Sequence, residues 1–190
     1  RIKGRMWCSA MGSRKEIHKS SSHELLRRGR QEFATWNQFR EHVGKAVRGV
    51  DPVAVDRAVS RLAEARHIYC IGNGGSALLA AHAALDLRKF AGKFAVALVE
   101  PGMLTACAND YGYEQAFTRQ IPARLPWGFC LLAISGSGKS PNVLAAADVF
   151  LKQGLPCVGI SMEGGILLRR CGEPVGIPTR SMQAFEVAAD

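Results

Sequence analysis

An α/β fold with a parallel sheet is predicted by three features of this 190-residue sequence. Short apolar runs alternate with segments of helical periodicity, an order in which helices cover a parallel sheet. Two of the runs end in glycine- and serine-rich loops, at residues 72–76 and 135–140, and each loop opens a helix. Two amphipathic segments precede the first run. We therefore predict a three-layer α/β/α sandwich with a five-stranded parallel sheet and amino-terminal helices.

The amino-terminal helices are predicted from the spacing of their apolar side chains. The first covers residues 31–50, where apolar residues recur on one face at intervals of three and four: Phe33, Trp36, Phe39, Val43 and Val47. The second has Asp51 as its cap and Pro52 in its first turn, and it runs to about Arg66. Its residues expected to face inward are Val55, Val59 and Leu62.

Four strands are placed on apolar runs at residues 67–71, 94–99, 129–134 and 156–160. Helices are predicted over residues 77–90, 104–109 and 141–153, with a short helix after residue 165. The pattern assigns no residues to the fifth strand.

The formal net charge of +9 comes mostly from a basic leader, residues 1–30, which holds nine positive and two negative side chains. The body that remains carries about +2, so nucleic acid is an unlikely partner for it. We expect the leader to lie outside the fold, and residues 31–190 to form one domain with an incomplete carboxyl-terminal helix.

The remaining composition is that of a globular protein without a membrane anchor. No apolar run reaches the roughly 18 residues that a membrane span needs. Six cysteines are scattered without a C-x-x-C spacing, and several lie inside apolar runs. They are expected to be reduced, buried thiols in a cytoplasmic protein.

The two glycine-rich loops are the strongest functional signals. Glycines let the backbone approach a ligand, and free amides at a helix start favour an anion. The second loop, Ala133 to Ser140, also satisfies a permissive nucleotide-binding pattern in which Lys139 contacts phosphates and Ser140 contacts magnesium. The first glycine of the strict pattern is absent, and no persuasive magnesium-binding Asp follows. Nucleotide binding remains an alternative to the sugar-phosphate interpretation below.

Several motifs together resemble the SIS (sugar isomerase) domain family, and its phosphoheptose isomerase branch in particular. They are Gly72-Asn-Gly-Gly-Ser76, His82, Ala106-Cys-Ala-Asn-Asp-Tyr-Gly-Tyr-Glu114 with Phe117 and Gln120, and Ser135-x-Ser137-x-x-Ser140-Pro141-Asn142. Their order and spacing match over about residues 68–165. The resemblance implies an aldose–ketose isomerase that interconverts sedoheptulose 7-phosphate and D-glycero-D-manno-heptose 7-phosphate.

The resemblance also implies a set of substrate-binding residues. Ser135, Ser137 and Ser140, with backbone amides of the loop at Gly136, hold the phosphate, since hydroxyls donate without demanding a charge partner. The sugar chain is contacted by Asn73, Gly74, Gly75 and Ser76, and its hydroxyls by Asn109 and Asp110. The family's usual Thr is Gly136 here, and its usual Asn is Lys139.

A metal site is implied by the same resemblance, with zinc as the cofactor. His82 and Asp86 lie four residues apart on one helix face, where zinc-using relatives have His and Glu. Asp86 is the expected catalytic group for proton transfer, and Gln183 is the third ligand and a further substrate contact. An alternative alignment places Glu186 there instead.

The carboxyl-terminal region departs most from the family pattern. The family's Gln-Glu-x-His segment is matched only at its start, by Thr179-Arg-Ser-Met-Gln183, and its histidines are not found. The sequence therefore leaves open a non-catalytic SIS module that binds a sugar phosphate or a protein. The resemblance further implies a homo-oligomer, a tetramer built from the apolar amino-terminal helices.

Overall fold

The computed structural model describes Phe33 and residues 35–190. The prediction of a basic leader over residues 1–30 lies outside these residues. The chain divides into two units, residues 1–38 and 39–190, and the second contains the entire sheet.

The sheet has five parallel strands, as predicted. They are β1 (His67–Gly72), β2 (Phe94–Ala97), β3 (Phe129–Ile134), β4 (Cys157–Met162) and β5 (Glu173–Ile177), in the spatial order β2-β1-β3-β4-β5. The chain reverses its direction of travel across the sheet between β2 and β3, so that β1 and β3 become neighbours. Ligands of open α/β sheets bind at such a reversal, outside the carboxyl ends of the strands.

The helices follow the strands in the order expected for a layered α/β domain. They are α1 (Trp36–Arg48), α2 (Pro52–Glu64), α3 (Gly75–Lys89), α4 (Pro101–Tyr111), α5 (Pro141–Lys152), α6 (Ile166–Arg170) and α7 (Met182–Ala189). Short 3₁₀ turns lie at Tyr113–Gln115 and Thr118–Gln120.

Side-chain caps fix the starts of three helices. Asp51 Oδ1 accepts a hydrogen bond from the Val53 amide at 3.0 Å, as predicted for the α2 cap. The Glu100 carboxylate accepts from the amides of Gly102 and Met103 at the start of α4. These bonds lower the pKa of Glu100. Ser181 Oγ accepts from Ala184 at the start of α7. Each cap satisfies an amide that the helix itself leaves unpaired.

Apolar side chains fill both faces of the sheet. On one face, Ile68 and Leu132 of the strands pack in a cluster with Ala80 of α3 and Phe185 of α7. On the other face the cluster includes strand residues Ile71 and Leu131 together with Phe117 and Phe150, and both phenylalanines are fully buried. The sheet is thus buried on both sides, which establishes the predicted three layers.

The predicted inward face of α2 is wrong by one position. Val55 and Val59 are exposed, whereas Ala54 and Ala58 are buried. Only Leu62 of the predicted trio packs against the core. The close approach of α2 to β5 favours small side chains inward, so the larger valines point outward. Because valine is more hydrophobic than alanine, the hydrophobicity pattern alone predicted that the adjacent face of the helix points inward.

The carboxyl-terminal region contains one strand to which the sequence pattern assigned no residues, and a helix where a carboxyl-terminal helix was expected. β5 fills the edge position that had no assigned residues, and α7 follows it with Ala184 and Phe185 buried in the core. The five cysteines of the described region are buried free thiols, as expected. Within that region no helix combines the length and the apolar character that a membrane span requires.

Candidate functional site

The two glycine-rich loops converge at the carboxyl edge of the sheet. β1 and β3 are paired in register, Gly72 opposite Ile134, so the loops that follow them start side by side. Between them lies a cleft of about 290 Å³. Most of its lining consists of predicted binding residues: Asn73, Gly74, Gly75, Ser76, Ser135, Gly136, Ser137 and Ser140. The structure therefore brings the predicted phosphate and sugar loops into one cleft, which we call the loop cleft.

A reciprocal amide pair joins the two loops. Asn73 Nδ2 donates to Asn142 Oδ1, and Asn142 Nδ2 donates to Asn73 Oδ1, both at 2.9 Å. Asn142 is fully buried, and its Oδ1 also accepts from the Val143 amide at 3.0 Å. Asn73 Oδ1 accepts a second bond from the Tyr113 hydroxyl at 2.9 Å. The two bonds between Asn73 and Asn142 fix the spacing of the loops. The role of Asn142 was not recognised from the sequence.

The serine loop presents hydroxyl groups beside the start of α5. Ser135 Oγ and Ser140 Oγ lie 3.1 Å apart, and Ser137 Oγ accepts from the Lys139 amide at 3.2 Å. Ser140 is the cap residue of α5 and Pro141 is in its first turn. The free amides at a helix start carry partial positive charge. Hydroxyls and helix start together form a site suited to a phosphate.

The chain behind the serine loop holds it in place. Gly138 has a positive φ of 62°. A β-carbon at Gly138 would lie 2.6 Å from the α-carbon of Gly165. The Leu167 amide in α6 donates to the Gly138 carbonyl at 3.0 Å. Glycine is therefore required here both for backbone conformation and for the approach of the segment that begins α6.

Helix α7 forms the third side of the loop cleft through Met182 and Glu186. A β-carbon added to Gly75 would lie 1.9 Å from Glu186 Oε1, so the carboxylate rests directly against the first loop. Glu186 is half-buried there. The structure thus places a carboxylate opposite the serine loop. The alternative alignment named this residue, but sequence reasoning preferred Gln183.

Met182 occupies the space above Gly136. A β-carbon at Gly136 would lie 2.4 Å from Met182 Sδ and 3.2 Å from Phe185 Cδ1. The resemblance placed a Thr at this position in relatives, and this chain has no room for one while Met182 keeps its rotamer. Met182 therefore fills the space that a side chain at position 136 would otherwise occupy.

The remaining predicted residues lie outside the lining of the loop cleft. His82 and Gln183 line a neighbouring shallow cleft together with Asp190 and Glu186. Asp86 pairs with His82 at 3.4 Å, and its side chain is 47% exposed. Asn109 and Asp110 are exposed on α4, where Asn109 Nδ2 donates to Asp110 Oδ1. Tyr113 connects the segment after α4 to Asn73.

His82 is held by two carboxylates. Its Nδ1 lies 2.8 Å from Asp190 Oδ1 and its Nε2 lies 3.4 Å from Asp86 Oδ2. The hydrogen bond with Asp190, and then the charge of Asp86, raise the pKa of His82 above its usual value. Both ring nitrogens are therefore engaged, an arrangement that favours an ion pair.

The described residues do not fit the expected zinc site. Nowhere in that part of the chain are three or more His, Cys, Asp or Glu side chains arranged to hold a metal ion. Gln183 supplies only an amide, which is a weak addition to His82 and Asp86. The zinc expectation remains a prediction.

Comparison with known proteins identifies the family. The model of the SIS domain matches residues 52–161, which include both loops and the Asn73–Asn142 pair. The chain belongs to the SIS domain family. The match also covers the serine loop on which the nucleotide-binding interpretation rests.

Similar curated proteins carry the name phosphoheptose isomerase. The protein from Paramagnetospirillum magneticum is 36% identical over 166 residues, covering 80% of this chain and 86% of its own. The protein from Burkholderia pseudomallei is 39% identical over 131 residues, covering 65% of this chain. The chain spans 66% of that relative's length.

Solved structures show the same fold. The phosphoheptose isomerase from Neisseria gonorrhoeae superimposes with a TM-score of 0.67 at 25% identity, over 79% of this chain and 86% of that one. The phosphoheptose isomerase from Francisella tularensis gives the same TM-score at 20% identity, over 80% of this chain and 88% of that one.

Proposed function

We propose that this protein is a phosphosugar isomerase that interconverts sedoheptulose 7-phosphate and D-glycero-D-manno-heptose 7-phosphate. The observation that carries the proposal is the loop cleft, which combines a phosphate-type serine loop with a carboxylate on its opposite side. The named relatives support the same substrate class. Aldose–ketose isomerisation needs a base near one carbon and polar groups at the sugar oxygens, and such a cleft supplies both.

The phosphate end is assigned to the serine loop. Ser135, Ser137 and Ser140 would donate to phosphate oxygens, and the start of α5 would add its free amides. Lys139 is exposed at the rim, where its charge would attract the dianion without being buried. The sugar chain would then extend along Gly74, Gly75 and Ser76 towards α7.

The reacting end is assigned to Glu186. Its carboxylate contacts Gly75 across the cleft from the phosphate loop, so a sugar chain bound between them would present its first carbons to it. A carboxylate in this place would remove the proton from one carbon and return it to the neighbouring carbon through an enediol. Asp86 remains the competing candidate, although it faces His82 and does not line the cleft.

A second candidate function is sugar-phosphate binding without catalysis. It is favoured by Ala184 and Glu186, which stand where the resemblance expects the Glu and His of the terminal segment. The same cleft would then bind a sugar phosphate without converting it.

Turnover measurements separate these possibilities. Conversion of sedoheptulose 7-phosphate should be measured for the wild type, Glu186→Gln and Asp86→Asn. We expect the wild type to turn over and Glu186→Gln to lose 10²-fold or more in kcat, as typical for a positioned base. Asp86→Asn should retain most activity. Binding of the sugar phosphate with no turnover in the wild type would instead establish the second function.

We also propose a cytoplasmic homo-oligomer, a tetramer by the family resemblance. Leu78 and Leu85 are 74% and 57% exposed on α3, where their spacing puts them on one face with His82. Exposed apolar stripes of this kind mark interfaces. Light scattering should give about four chains per particle, and Leu78→Glu should reduce that number. A wild-type monomer at micromolar concentration would contradict the proposal.

Metal dependence is tested separately. Zinc is the cofactor implied by the resemblance, but its expected ligands do not form a complete set in the described chain. Turnover should be measured after treatment with a chelator followed by gel filtration, and again after zinc is added back. Loss of turnover that zinc alone restores would show that ligands beyond His82 and Asp86 complete a site.

A further inference from the structure

Two cysteines outside the lining of the loop cleft approach each other closely. Cys157 begins β4 and Cys171 follows α6, and their sulfur atoms lie 3.0 Å apart. Both side chains are buried, Cys157 completely and Cys171 with 7% of its surface exposed. A separation of 14 residues carries no recognisable motif, so the sequence alone does not distinguish this pair from the other scattered thiols.

A glycine makes the approach possible. Gly159 lies two residues after Cys157 on β4, and a β-carbon there would lie 2.6 Å from Cys171 Sγ. Any larger residue would push Cys171 away from the strand. The absence of a side chain at Gly159 thus leaves room for Cys171 beside Cys157.

The pair also has a solvent approach. A surface cleft of about 330 Å³ reaches Cys157, and its lining includes Arg61, Pro156 and Gly172. Small solutes in this cleft lie beside Cys157 and beside Gly172, the chain neighbour of Cys171. Hydrogen bonding with Cys171 and burial raise the pKa of Cys157, which keeps it as a thiol and makes its reaction slow.

We propose that Cys157 and Cys171 are a reversible oxidation site that forms an intramolecular disulfide with hydrogen peroxide. The thiolate of Cys171, the more exposed of the two, attacks one peroxide oxygen; the O–O bond breaks, a sulfenic acid forms and water leaves after protonation. The Cys157 sulfur then attacks the sulfenic sulfur, the S–O bond breaks and a second water leaves. Two thiols lose two electrons, and one peroxide gains them.

The location gives this bond a structural consequence. Cys171 ends α6, and its amide donates to the Leu167 carbonyl. The Leu167 amide in turn donates to Gly138 of the serine loop. A disulfide would link the end of α6 covalently to β4. It would thereby restrict the movement of α6, the helix that donates the hydrogen bond to the serine loop. The disulfide would also close the loop between Cys157 and Cys171, which restricts the unfolded chain and so stabilises the folded state.

The test uses the full chain treated with peroxide and then blocked with iodoacetamide. We expect a mass loss of about 2 Da before blocking, a cross-linked peptide that joins Cys157 to Cys171, and a rise in Tm of about 6–12 °C. Dithiothreitol should reverse all three. Methionine oxidation is not reversed by dithiothreitol, which separates the two reactions.

Matched variants sharpen the test. Cys171→Ser should abolish the cross-link and the Tm rise, whereas Cys107→Ser should leave both unchanged. Gly159→Ala should slow cross-linking by displacing Cys171. The proposal is overturned if both thiols stay free in the oxidised wild type, or if peptide mapping finds a different pairing. Because mapping is done on the wild type, it does not depend on the folding of any variant.

Discussion

Asn73 and Asn142 exchange two side-chain amide hydrogen bonds of 2.9 Å across 69 residues of sequence. Asn73 follows β1 and Asn142 lies in the first turn of α5 after β3. The pair therefore couples the first glycine-rich loop to the serine loop directly. A buried amide that loses its partner keeps the desolvation penalty. Replacing either residue should therefore lower the free energy of unfolding.

We predict that Asn142→Ala destabilises the protein by about 1–3 kcal/mol and weakens binding of the sugar phosphate. The measurements are urea unfolding and calorimetric titration. In a double-mutant cycle with Asn73→Ala, the two effects should be less than additive, because each single change already breaks the pair. Asn109→Ala, an exposed amide on α4, serves as the control for stability. Additive effects would mean that the pair does not act as a unit.

We predict that Ser137→Ala combined with Ser140→Ala lowers the affinity for inorganic phosphate by about 10²-fold. Each hydrogen bond to a charged group contributes about 1.5 kcal/mol or more, and two such bonds are lost. The Tm without ligand should change little, since Ser137 is exposed and Ser140 is half-buried. Unchanged affinity would remove the phosphate from this loop. Titration of ATP with magnesium on the wild type checks that nucleotides do not compete.

We predict that Gly75→Ala lowers kcat by about tenfold while phosphate affinity stays within twofold. The new β-carbon would occupy the space of Glu186 Oε1, and the flexible carboxylate would swing away from the cleft at little cost in stability. The serine loop would be untouched. Wild-type turnover in this variant would show that the observed position of Glu186 does not matter for the reaction.

We predict that His82 titrates above its usual pKa of about 6.5, and that Asp190→Asn lowers that pKa more than Asp86→Asn does. A raised pKa in the folded state means that the contribution to stability is complete below about pH 6.5 and is lost as pH rises through the folded value. NMR titration of the ring protons gives the pKa directly. An unshifted value in the wild type would show that the two carboxylates do not hold the ring.

Much of the fold could be predicted because apolar runs and glycine-rich loops are local signals. Both loops and four strands were placed within a few residues. β5 was missed because its five residues contain Pro174 and Gly176, which no strand pattern favours. Its position at the sheet edge tolerates the proline, and Glu173 is held by ion pairs with Arg57 and Arg61.

The candidate site was predictable in part for the same reason. The loop residues can be recognised from their glycine- and serine-rich composition. Asn142 and Glu186, in contrast, contact partners that are distant in the sequence. Asn142 meets Asn73 only after β1 and β3 pair, and Glu186 meets Gly75 only after α7 packs on the sheet. No local pattern contains that information, so Gln183 was favoured over a residue three positions away.

The strand order has a consequence for folding kinetics. The loop cleft requires β1 and β3 to pair, and α3, β2, α4 and their connections all lie between these strands in the chain. Long-range pairing of this kind forms slowly, because chain entropy is lost before the contacts compensate for it. Partly folded chains would lack a phosphate site, so ligand would stabilise only the completed sheet, by an amount that grows with its concentration. Under the proposed function, bound sugar phosphate would therefore raise the free energy of unfolding of the completed domain.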